Sequence, residues 1–103
     1  MHVQVVTYRV TGGTEEEIRK GNEGFAAMVS AVPGFRGKAW LVGQGDVRGG
    51  IYFWTDRDAY QAFVDGELWA GVLGEESMAD LESRDFAIDD QLTMLTQPGI
   101  TLI

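Results

Sequence analysis

An α+β fold is predicted for this chain of 103 residues, and three features carry the prediction. Apolar residues recur with a strand period in some stretches and a helix period in others. The two periods follow one another in the order β-α-β-β-α-β. A polar gap between two aromatic-rich strands marks the middle of that order as a hairpin. Together they give the split βαβ, ferredoxin-like plan, a four-stranded antiparallel sheet with two helices on one face.

Each element has its own signal. His2 to Val10 alternates, with Val6, Tyr8 and Val10 on one face and Val3, Val5 and Thr7 on the other. Apolar groups on both faces imply a strand covered on both sides. Gly12-Gly13 breaks it, and Thr14-Glu15-Glu16-Glu17 reads as a capping box opening a helix. Ile18, Phe25, Met28, Val29 and Val32 follow at helical spacing until Pro33-Gly34. Gly21 and Gly24 each cost that helix about 1 kcal/mol relative to Ala, which suggests either close approach to another backbone or a ligand, or a tolerated surface position.

Lys38 to Val42 is the second strand, with Trp40 and Val42 on one face and Ala39 and Leu41 on the other. Gln44 to Arg48 is the hairpin loop and Gly49 to Thr55 the returning strand, with Tyr52 and Trp54 opposed to Ile51 and Phe53. Asp56 is a natural N-cap for a helix carrying Ala59, Tyr60, Phe63 and Val64. Glu67 to Leu73 forms further helical turns, Ala79 to Ile88 the fourth strand, and Asp89-Asp90 caps a short helix through Leu92 and Leu95. Pro98-Gly99 begins a tail. The whole chain, 1–103, is expected to be one domain. The bulky residues on both sheet faces call for a second subunit to cover the face without helices.

Composition excludes several function classes. Eight basic against sixteen acidic residues give a net charge of -8, a field that repels phosphate backbones and disfavours nucleic-acid binding. No apolar run approaches the roughly 20 residues that span a bilayer, so no membrane association is expected. The absence of cysteine rules out disulfides and thiolate metal sites and suits a reducing, cytoplasmic setting. No His/Cys/Asp cluster has metal-ligand spacing, and one terminal histidine, expected to be exposed, cannot complete a nucleophile triad.

Eight of the 11 aromatic residues fall between Phe35 and Trp69. Pro33-Gly34-Phe35, Lys38-x-Trp40 and Gly49-Gly50-Ile51-Tyr52-Phe53-x-Thr55-Asp56 resemble the YdhR-type monooxygenases of the dimeric αβ-barrel superfamily, over roughly residues 3 to 97. The resemblance implies a homodimer with its sheets face to face and a cavity in each subunit between sheet and helices. It implies oxygenation of a phenol- or anthrone-like aromatic small molecule without a cofactor. Haem chemistry on this fold usually uses a helix histidine, and this chain has none there.

Such chemistry needs ring-binding surfaces, a base and a group that stabilises an oxyanion. Trp40 and Tyr52 are the aromatic candidates for catalysis, with Arg36 as anion stabiliser and Asp65, or Glu67, as base. Tyr8, Trp54, Tyr60, Phe63, Trp69 and Arg84 complete the candidate ligand-binding set. The competing reading of the tryptophans is core or dimer-interface packing, and that of the charged residues is a solvated surface. Strand alternation adds a constraint: at most half of the hairpin's aromatics can face one cavity. A non-catalytic small-molecule-binding or stress-related protein is the alternative function. An isomerase would need a clear acid–base pair in the cavity.

Overall fold

The computed structural model describes residues 1–96; the expected tail from Pro98 lies outside them. Strands β1 (His2–Val10), β2 (Phe35–Val42), β3 (Val47–Trp54) and β4 (Met78–Ala87) form one antiparallel sheet in the order β2-β3-β1-β4. Helices α1 (Glu15–Val29), α2 (Arg57–Val64) and α3 (Glu67–Leu73) join them, and α4 (Asp90–Leu95) follows β4. This is the ferredoxin-like arrangement. Among the described residues no helix is long and apolar enough to cross a membrane.

The caps act where the sequence places them. Thr14 Oγ accepts from the Glu17 amide at 3.1 Å, and its hydroxyl donates to the Glu17 carboxylate at 3.0 Å. Asp56 accepts from the Ala59 amide and Asp89 from the Leu92 amide. Helix α1 stops earlier than its apolar spacing suggests. Ser30 donates its hydroxyl to the Ala26 carbonyl at 2.6 Å, and Ala31 and Val32 continue in tighter i→i+3 turns. Gly34 then takes φ +82°, and a Cβ there would overlap Ala59 of α2, so only glycine suits this approach.

Strand ends move by small amounts. β2 starts at Phe35 rather than Lys38 because a bulge leaves Arg36 unpaired opposite the Phe53–Trp54 stretch. β3 begins two residues before Gly49, and β4 is displaced by one residue towards the N-terminus. The alternation holds: His2, Gln4, Val6 and Tyr8 share a face with Lys38, Trp40, Tyr52 and Trp54, and that face is covered by helices. The other face carries Val3, Val5, Leu41, Ile51, Phe53 and Phe86, half-buried or exposed.

The core is aromatic. Trp54 is fully buried, with Phe63 of α2 at 4.8 Å between ring centroids, Tyr52 at 6.3 Å and Phe35 at 5.6 Å. Trp69 of α3 closes the cluster against Phe63 at 5.6 Å. Val6 and Val29 complete it.

A candidate ligand cavity under helices α1 and α3

Beside that core the same sheet face is hollow. A cavity of 490 Å³ lies between the sheet and helices α1 and α3, within the roughly 300–1,000 Å³ typical of small-molecule sites. Its floor is Val6 and Tyr8 of β1, Lys38 and Trp40 of β2, and Gly50 and Tyr52 of β3. Gly21, Asn22 and Phe25 of α1 and Leu68, Gly71 and Val72 of α3 contribute the opposite walls. Glu17 and Glu75 are the carboxylates of its lining. A Cβ at Gly21 or Gly71 would meet nothing within 4 Å, so both glycines leave space. Of the two readings of Gly21, proximity to a ligand site is the one its position supports; Gly24 does not line the cavity.

Lys38 is the residue that reading the sequence missed. Its Nζ lies 3.5 Å from the Trp40 ring centroid, 4.5 Å from Tyr52 and 4.8 Å from Phe25. Gly50 makes room for it, since a Cβ there would overlap the Lys38 Cε. No carboxylate pairs with it among the described residues. Burial disfavours the charged form and pushes its pKa down to about 8, while the electron-rich ring faces attract the ammonium. Burial also raises the Tyr52 and Tyr8 phenols, with Arg48 opposing the shift at Tyr8. Both tyrosines therefore stay protonated as donors at neutral pH.

The other expected site residues divide sharply. Trp40, Tyr52 and Tyr8 line the cavity. Trp54, Phe63 and Trp69 do not: they fill the packed core, buried on all sides. Tyr60 is half-buried with its ring against His2. Arg36 is exposed at the β2 bulge, and Asp65 is exposed at the end of α2, accepting from Gln61 at 3.1 Å. Glu67 is exposed in the first turn of α3. Arg84 lies on the sheet face without helices, 5.8 Å from the Phe86 ring. None of these four charged residues reaches the cavity lining, because strand parity or a helix end puts each elsewhere.

His2 is a second correction. It is 6% exposed, not a free terminal side chain, because β1 is a central strand. Its Nε2 lies 2.6 Å from Asp85 of β4, and the Tyr60 ring centroid is 5.2 Å away. An ionised Asp85 can only accept, so Nε2 carries the proton and donates. That bond, ahead of lesser effects, holds the Asp85 carboxyl below the usual range. The signal available in the sequence was parity: His2 shares a face with Gln4 and Val6.

A helix-covered antiparallel sheet with a ligand-sized aromatic cavity defines the class: an α+β protein of ferredoxin-like fold. The chain belongs to the family described as "Putative mono-oxygenase ydhR", which it matches over residues 3–98. No curated protein matches it significantly. Among solved structures it is similar to SnoaB, a cofactor-independent oxygenase from Streptomyces nogalater. That match has 21% identity over 84% of this chain and 92% of the other, with a TM-score of 0.66. It is also similar to the heme-degrader MhuD from Mycobacterium tuberculosis, solved with two hemes in its active site (23% identity, 86% and 96% coverage, TM-score 0.65). A protein of unknown function from Nitrosomonas europaea, NE2512, has a TM-score of 0.71 at 13% identity, covering 85% of this chain and 88% of its own. At these identities the likeness is one of fold.

Proposed function

We propose that this chain is a cofactor-independent monooxygenase of a phenol- or anthrone-like aromatic molecule bound in the cavity under α1 and α3. The observation that carries the reading is Lys38 within reach of the Phe25, Trp40 and Tyr52 rings on the floor of that cavity. A substrate of this class reduces oxygen only after losing a proton, and its anion needs a cation in a water-poor site. Lys38 serves both needs: its neutral amine takes the substrate proton, and the ammonium so formed holds the anion. Trp40 and Tyr52 offer ring surfaces and Tyr8 a phenolic donor. The substrate anion gives its electrons to O2 and a C–O bond forms. A ring CH2 becomes C=O as the second oxygen leaves as water.

Membership of a mono-oxygenase family supports this reading, as does the fold shared with SnoaB. Arg36, Asp65 and Arg84 have no part in it. A haem-degrading reading has less support, because the single histidine is held by Asp85 away from the cavity lining. The working form is a homodimer in which the Val3, Val5, Ile51 and Phe53 face meets its copy. Sedimentation checks it, and an 11.3 kDa species at micromolar concentration would contradict it.

A screen of phenols, anthrones and quinones by tryptophan fluorescence, then oxygen uptake on each hit, tests the activity. Binding with oxygen consumption supports the monooxygenase. Binding without it sinks that reading and favours a non-catalytic binding protein.

A further inference from the structure

The chain has three primary amines, and their surroundings differ. The N-terminal amine lies 3.4 Å from the Asp90 carboxylate. Lys20 lies 3.6 Å from Glu16 on the exposed side of α1, with 76% of its side chain open to water. Lys38 has no carboxylate partner among the described residues and sits on the floor of a cavity with space for a ligand. Only two lysines occur in the whole sequence, so this placement singles out one side chain.

Three elements hold the Lys38 amine in place. Its own strand brings Trp40 beneath it, β3 brings Tyr52 and the gap at Gly50, and α1 brings Phe25. The apolar walls strip water from the ammonium without giving it a counter-ion, the setting in which lysine becomes a nucleophile. The titratable groups of the same lining are Tyr8 on β1, Glu17 on α1, Tyr52 on β3 and Glu75 after α3.

We propose that Lys38 Nζ is a covalent capture site for carbonyl compounds, condensing reversibly with an aromatic aldehyde or ketone seated in the cavity. The neutral amine adds to the carbonyl carbon, forming a C–N bond as the C=O π pair moves to oxygen. Proton transfer from nitrogen to that oxygen gives the carbinolamine. The nitrogen lone pair then expels water and leaves an imine. No oxidant or reductant is consumed, so the step stands or falls apart from oxygenation. With the Lys38 pKa near 8, the neutral amine and the ammonium are both populated around neutral pH. One residue then serves an anionic ligand in one form and a carbonyl ligand in the other.

The test uses 2-naphthaldehyde with cyanoborohydride at pH 7.5, with intact mass and peptide mapping to locate the reduced adduct. At that pH an amine of pKa about 8 has on the order of a hundredfold more free base than an ordinary lysine. Lys38 should therefore be labelled at least about tenfold faster than Lys20 in the same molecule, allowing for the lower nucleophilicity of a weaker base. The N-terminal amine is a competing nucleophile, and its peptide is counted separately. Lys38→Arg should lose the internal adduct and keep the N-terminal one. Gly50→Ala, which displaces the Lys38 side chain, should slow labelling while circular dichroism stays unchanged. Equal labelling of Lys38 and Lys20 in the unmodified chain overturns the proposal, and that comparison needs no variant to fold.

Discussion

The helix-covered face of the sheet has two ends, and they use aromatic residues in different ways. Around Trp54, the rings of Phe35, Tyr52 and Phe63 stand 4.8 to 6.3 Å apart, and Trp69 seals the group. A few residues along, Tyr8, Trp40 and Phe25 border 490 Å³ of open space. Tyr52 belongs to both. The difference comes from what the helices bring. α2 places Phe63 on Trp54, whereas α1 and α3 contribute Gly21 and Gly71 to the cavity lining that Trp40 and Tyr52 share. Large side chains on both layers give core. Large ones on the sheet, with glycines among the helix residues lining the opposite walls, leave a cavity.

Substitutions can break that contrast, and the largest effect belongs at the packed end. Trp54→Ala should cost about 3–5 kcal/mol in chemical denaturation, as for other buried large-to-small changes. Trp40→Ala, 41% exposed, should cost about 1 kcal/mol and act mainly on ligand binding. Similar losses at both sites would mean that the cavity is part of the load-carrying core. Next, Gly21→Leu should abolish binding of any fluorescence hit without lowering stability, because it fills empty space on a helix. Gly21→Ala and Gly24→Ala should each stabilise by up to about 1 kcal/mol, and only the former should alter ligand affinity.

Two pH effects are smaller; they fall in different pH windows, and in each the stability rises with pH. The lowered pKa of Lys38 means that the unfolded chain binds more protons than the folded one above about pH 8. Stability should therefore rise between about pH 8 and 9.5, before the tyrosines of the unfolded chain ionise, and Lys38→Met should remove the rise. At the packed end, Asp85 is held below the ordinary carboxylate range by His2. Its contribution is present above about pH 4 and lost as acid titrates it, so the stability gap between the natural chain and Asp85→Asn should close below that pH. Urea melts across the pH range measure both.

Most of the fold was legible because it rests on local rules. Thr14, Asp56 and Asp89 cap the helices they were expected to cap, and β1 has the bounds its alternation suggests. Parity also set Trp40 apart from Ala39 and Leu41, and Tyr52 and Trp54 apart from Ile51 and Phe53. It could not divide them further, because their fates depend on which helix lies above, a contact between residues far apart in sequence. Lys38 was missed for the same reason. A lysine in a strand reads as solvent-facing until Phe25 covers it and Gly50 makes room beside it. His2 misled through its position at the start of the chain, although a strand between two neighbours buries even its first residue.

The central claim is that ligands enter the hollow end and not the packed one. Quenching of tryptophan fluorescence by a bound phenol, compared between Trp40→Phe and Trp54→Phe, tests it most directly. The ligand-induced change should be largely lost in Trp40→Phe and kept in Trp54→Phe. Loss in Trp54→Phe with a full response in Trp40→Phe would contradict it.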